Sequence, residues 1–306
     1  FERFLELTAE RGIIAQFEMW DRFDYARENW LANPYNPANN VNYTVEESGL
    51  QETFEFDPWR ADNPFFRTPP KRDNNEVVLR YQRLQVDEML SRTLNYGHLL
   101  YCMDNETNEP AEWGWYWSRY IQAKAAEAGV GVETTEMWDS WDILDGGHAG
   151  TFDHPEIYSF IDISQNSQSP TARHWDNPQK LRRMLTESGE IRPMNTVKIY
   201  GDNKGRFGTT RDGQERFWRN IVAGLASSRF HRPDSGLGLG PIAQANIKSM
   251  RMLTDEMNIF ECKPNNRLLQ GRSWNEAFCT AKLGVEHAEF FPDGGDVELD
   301  VSAMDG

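Results

Sequence analysis

Apolar positions along this chain fall into two alternating textures, short unbroken runs and longer amphipathic stretches. Phe1-Glu2-Arg3-Phe4-Leu5-Glu6-Leu7 has the spacing of an amphipathic helix, and Gly12 to Trp20 then reads as a strand. A helix is predicted at 76–95 before the apolar run His98 to Asp104, and another at 111–128 before Gly129 to Met137. Ile157 to Ser164 reads as a strand followed by a helix at 177–187, and Arg192 to Tyr200 as a strand followed by a helix at 212–227. Unbroken apolar runs of this length suit strands covered on both faces. Their alternation with helices predicts repeated βα units around a parallel sheet. A helix ahead of the first strand is the expectation for a chain that starts inside a domain.

Two stretches depart from this rhythm. Asp21 to Asp73 is polar and aromatic, rich in Asn and Pro, and has no period of its own. A connection that long is expected to serve function. After residue 270 three short strands are predicted, over 276–281, 285–291 and 297–300, with Pro292-Asp293-Gly294-Gly295 as a strong turn signal. The expected organisation is a barrel over 1–270, with 271–306 opening an all-β domain.

Composition narrows the partners. A net charge of −16 over 306 residues argues against nucleic acid and against anionic membrane surfaces. No apolar run approaches the roughly 20 residues of a membrane-spanning helix. Cys102, Cys262 and Cys279 are too dispersed for a disulfide framework or a metal-ligand spacing, and no GxGxxG follows a strand, so no cofactor is expected. Tryptophan (11) and phenylalanine (17) are abundant, which suits a core and also a cleft that stacks sugar rings. Oligomeric state is not encoded in any of these features.

Candidate chemistry gathers where strands end. A closed barrel is preferred to an open sheet because polar groups stand at each of these ends, where barrel enzymes keep their active residues. The 98–104 strand runs into Asn105-Glu106, a carboxylate with an amide beside it, as glycoside hydrolysis requires. Glu136 ends the next strand, close to Trp138. Asp162, inside an apolar run, is expected to be buried and paired. Gln165, beyond that strand, and His174 are cleft candidates, as are Asn195, Lys198 and Tyr200 on the 192–200 strand and Asp202 after it. Trp20 and Asp21, with Asp24, would form another part of the rim.

In order along the chain, Glu18-Met19-Trp20-Asp21-Arg22-Phe23, Tyr101 to Glu106, Arg192-Pro193 with Tyr200-Gly201, and Arg216-Phe217-Trp218-Arg219 with Gly224 carry a family resemblance. The chain resembles the (β/α)8 glycoside hydrolases of the large retaining clan, in particular the apiosidase-like, polysaccharide-hydrolase branch with a small β-sandwich after the barrel. The resemblance covers most of the chain from what would be the third strand. It implies that Glu106 is the general acid/base, that Asn105 meets the substrate 2-hydroxyl and, through the substrate class, that the protein is secreted, periplasmic or at the cell surface. The clan's nucleophile, a glutamate ending the seventh strand, has no counterpart in Met194 to Tyr200. The second carboxylate is then Glu136 or Asp202, or the nucleophile is lost and the barrel only binds glycan. Lys198 at that place suits an anionic substrate group.

Overall fold

In the computed structural model, residues 1–53, 59–61, 63–169, 171–199, 208–230 and 238–303 are described. The helices are α1 (Glu2–Glu10), α2 (Arg27–Ala32), α3 (Val45–Ser48), α4 (Glu76–Thr93), α5 (Glu112–Glu127), α6 (Ala149–Phe152), α7 (Thr171–Ser188), α8 (Thr210–Val222) and α9 (Pro241–Glu256). The strands are β1 (Ala15–Asp21), β2 (Leu99–Asn105), β3 (Glu133–Thr135), β4 (Ile161–Asp162), β5 (Met194–Asn195), β6 (Lys263–Pro264), β7 (Leu269–Gln270), β8 (Phe278–Lys282), β9 (Glu286–Phe290) and β10 (Glu298–Leu299). Two compact units result, one of residues 1–140 and 145–161, the other of residues 141–144 and 162–306.

The first unit is built on a parallel sheet in the order β1-β2-β3. Its register sets Phe17 beside Tyr101, Asp21 beside Asn105, and Tyr101 beside Thr134. Each crossover is helical. The Asn75 side chain accepts the Val78 N–H to start α4, which turns Val78, Leu79, Val86 and Leu90 inward. On α5 the buried face is Trp113, Gly114, Trp117 and Ile121. Spacings of three and four residues give each helix one apolar stripe to lay on the sheet.

The described part of the 21–73 connection is packed against the core. Asparagine side chains tie it down: Asn33 and Asn36 accept the N–H two residues ahead, at 2.9 and 3.0 Å. Asn63 does the same for Phe65 and donates to the Tyr25 carbonyl at 2.9 Å. Tyr25 stacks on Phe65 with centroids 3.9 Å apart, inside the same core as Trp113 and Trp117.

In the second unit β6 and β9 flank β8, and β7 pairs with β10. The predicted 157–164 strand shrinks because Asp162 Oδ1 accepts the Ser164 N–H at 2.8 Å, turning the chain into a 3-10 helix over Ser164–Gln168. Among its described residues, the predicted 192–200 strand likewise keeps β5 and a bridge between Ile199 and Phe230. The strands after 270 lie in the same compact unit as α7, α8 and α9, pairing with β6 and β7, and Phe278 packs on Trp175 at 4.8 Å. The division into compact units falls near 161.

Candidate active site

Strand register decides which side chains can meet at the sheet's C-terminal edge. Trp20 pairs with Asp104 and Asp21 with Asn105, and alternation sends the two pairs to opposite faces. On one face Asn105 donates its amide to Asp21 Oδ2 at 3.0 Å, while Asp21 Oδ1 accepts the Phe23 N–H at 3.0 Å. The Asn105 amide is thereby oriented, and Glu106 follows it immediately. Glu106 is half-buried and has a φ of 53°, a left-handed conformation that a non-glycine residue adopts at a cost. Thr107 is fastened on both sides, its N–H to the Met137 carbonyl at 2.7 Å and its carbonyl to the Asp139 N–H at 2.9 Å. These bonds hold the turn that imposes the Glu106 conformation.

The other face carries a buried acidic network. Trp20 is 2 % exposed and packs on Trp117 at 4.6 Å and Trp113 at 5.2 Å. It therefore lines the helix–sheet core, which corrects its expected place on the rim. Glu136 is 1 % exposed; its Oε1 accepts the Asp104 N–H at 2.8 Å and its Oε2 the Tyr158 hydroxyl at 3.5 Å. A Cβ on Gly114 of α5 would come within 1.9 Å of Oε2, so Glu136 fills the space that this glycine leaves. Burial, and next the Asp104 carboxyl, push Glu136 well above the usual carboxylate range. Burial also pushes Asp104 up to about 8, although its Oδ1 accepts the Arg22 N–H at 3.0 Å. Burial and then the Glu136 charge raise the Tyr158 hydroxyl.

Arg22 brings positive charge to the same edge. Its guanidinium, 2 % exposed, stands 3.0 Å from Asp139 Oδ1 and 4.9 Å from the ring centres of both Phe23 and Trp59. Trp138, 7 % exposed, donates its indole N–H to Thr151 Oγ1 at 2.9 Å and is joined to Thr107 by a parallel bridge. Asp24 is exposed on the turn that follows β1.

The remaining expected residues belong to the second unit. Gln165 and His174 are buried; burial, and then the Arg219 and Arg216 charges, hold the His174 imidazole well below its ordinary value. A neutral, enclosed histidine replaces the cleft-lining one that was expected. Asn195 is also buried, on β5, and Lys198 is 7 % exposed. Tyr200 and Asp202 lie outside the described residues. No group of three or more His, Cys, Asp or Glu placed to hold a metal occurs among the described residues. No described helix is long and apolar enough to cross a membrane.

Sequence reasoning passed over Arg22, Asp104, Asp139 and Tyr158. Asp104 was visible as an acid inside an apolar strand. The other three become significant only through pairing across strands, which a single sequence does not display.

No family model and no curated protein matches the chain. Solved structures do. A glycoside hydrolase family 5 protein from Bacteroides vulgatus ATCC 8482 is similar over 100 % of this chain and 75 % of its own, with a TM-score of 0.50 and 12 % identity. A second structure, described as a glycoside hydrolase, covers 100 % and 78 % with a TM-score of 0.49 and 12 % identity. At that identity the first likeness is one of fold, and the chain is a mixed α/β protein with a TIM-barrel-like fold.

Proposed function

We propose that this protein is a glycoside hydrolase of the (β/α)8 type, with Glu106 as the general acid/base and Asn105 on a substrate hydroxyl. One observation carries the reading: Glu106 occupies a left-handed turn at the C-terminal end of β2, beside an amide that Asp21 orients. Strained non-glycine residues persist where surroundings enforce them, and in barrel enzymes the strand ends are where chemistry happens. The family 5 glycoside hydrolase of similar fold supports the same substrate class.

For Glu136 we favour a positioning role. A carboxyl buried against α5 and held well above the usual carboxylate range is a poor nucleophile, but it fixes the end of β2 through the Asp104 N–H. The second catalytic carboxylate is then sought in Asp21, at the same strand ends, or in Asp202. The burial of Glu136 also favours a second reading, in which the barrel binds glycan without cleaving it. Lys198 is the basis for an anionic substituent on the substrate. Action outside the cell and the reading of 271–306 as the start of an all-β domain stand with this proposal.

Reducing-sugar release from a panel of neutral and anionic polysaccharides tests it, using the parent protein, Glu106→Gln and Glu136→Gln. Hydrolysis by the parent, lost in Glu106→Gln with binding retained, is the expected result. Binding by the parent without turnover on any member would replace hydrolysis with glycan capture.

A further inference from the structure

Beyond the Glu106 turn, the first unit holds an open groove of about 480 Å³, lined by Asn108, Glu109, Trp115, Trp138, the Gly146–Gly150 turn and His154, among others. That size falls within the range of roughly 300–1,000 Å³ common for small-ligand pockets. We propose that this groove is a sugar subsite for the leaving-group side of the substrate, selective for an uncharged sugar. The proposal rests on the assignment of Glu106 as the acid.

Two indoles frame the groove, and each is anchored by its N–H. Trp115 donates to the Gly150 carbonyl at 2.9 Å, and Trp138 donates to Thr151 Oγ1. The His154 ring lies 4.2 Å from Trp115, tilted by 52°. Indoles fixed by their edges cannot turn away; the half-buried Trp115 supplies most of the apolar ring surface of the groove, and Trp138, 7 % exposed, only the part of its ring that reaches the lining. Gly150, at the start of α6, packs closely on the Trp138 ring. A Cβ on Gly150 would meet Trp138 Cζ2 at 2.7 Å and the Ala111 Cβ at 3.0 Å, so a glycine is needed there for the turn to close on the ring. Flat apolar faces bordered by polar atoms suit the apolar face and hydroxyl rim of a pyranose.

Position assigns the leaving-group side. The groove begins two residues after Glu106, and the Thr107–Trp138 bridge ties its wall to the acid's own turn. A general acid must touch the leaving oxygen, so a sugar seated along that wall belongs to the group departing. Charge assigns the sugar type. Glu109 and Asp153 line the groove, and Asp145 adjoins it in sequence, in a chain of net charge −16. An acidic surround disfavours a uronate or a sulfated sugar and leaves an uncharged one unopposed.

The test uses the full chain in the Glu106→Gln background. Binding of neutral cello-, xylo- and manno-oligosaccharides and of oligouronates is followed by saturation-transfer NMR and calorimetry. Trp115→Ala should weaken neutral oligosaccharide binding about tenfold or more, with Trp115→Phe restoring most of it. Because Trp115 also anchors the Gly150 turn, Gly146→Trp gives an independent check. A Cβ there meets nothing within 4 Å, and a ring at that point closes the groove without removing an anchor. Oligosaccharide binding untouched by Trp115→Ala and by Gly146→Trp overturns the subsite, as does equal affinity for oligouronates or no oligosaccharide binding at all. Groove-dependent binding in a parent protein that hydrolyses nothing would instead keep the subsite and overturn hydrolysis.

Discussion

Glu106 holds a φ of 53°, and the bonds from Thr107 to Met137 and Asp139 leave its backbone no relaxed alternative. A side chain kept there against backbone preference predicts an asymmetry between two small replacements. Glu106→Gly should be more stable to urea than Glu106→Ala by about 1 kcal/mol, because only glycine adopts this conformation freely. Equal midpoints would mean that the turn relaxes. Beneath it, Asp104 and Glu136 share a buried site and titrate as a pair. The folded pKa of Asp104, about 8, lies above its unfolded value of about 3.9. Between those two values the native state holds a proton that the unfolded chain has released. Stability is therefore full in acid and falls as pH rises from about 4 to about 8. Urea midpoints measured across that window should decline, and Asp104→Asn should flatten the decline; an unchanged slope would place the titration elsewhere.

At the scale of elements, α5 and the β1-β2-β3 sheet meet through one missing side chain. Gly114→Ala sets a methyl against Glu136 Oε2 and should cost about 1–3 kcal/mol. Glu136→Ala in the same molecule should recover part of that loss, a coupling that a thermal-unfolding double-mutant cycle would reveal. Additive losses would show that the contact is not felt. The long elements were legible in sequence. The helix expected over 76–95 is α4, at Glu76–Thr93, and the strand expected over 98–104 is β2, at Leu99–Asn105, because their apolar periods are long and uninterrupted. Shorter elements were overridden by side-chain hydrogen bonds, as where Asp162 ends β4 after two residues. Helix α9 was missed because it buries little, Ala243 and Asn246 being its buried positions. The placement of candidate residues followed the same rule. Asn105-Glu106 was readable as a dipeptide at a strand end, whereas the burial of Glu136 depends on Gly114 and Tyr158, 22 residues away on either side.

For the whole molecule, the proposed hydrolysis makes the charge of −16 a factor in substrate choice. At low salt the acidic surface opposes the approach of a polyanion, whatever local attraction Lys198 supplies. Apparent KM for an anionic polysaccharide should fall as sodium chloride is raised from about 10 to 150 mM, where screening shortens to roughly 8 Å. KM for a neutral one should stay constant, and a rise for the anionic substrate would show that local positive charge dominates. The central claim, that Glu106 is the general acid, is tested most directly by leaving-group dependence in Glu106→Gln. Acid catalysis contributes about 10²–10⁴-fold where the departing oxygen needs a proton, and little where it does not. Glu106→Gln should therefore lose at least ~100-fold in kcat/KM on an oligosaccharide or phenyl glycoside, yet lose far less on a dinitrophenyl glycoside. An equal loss on all of these substrates, or no loss on any, would contradict the assignment.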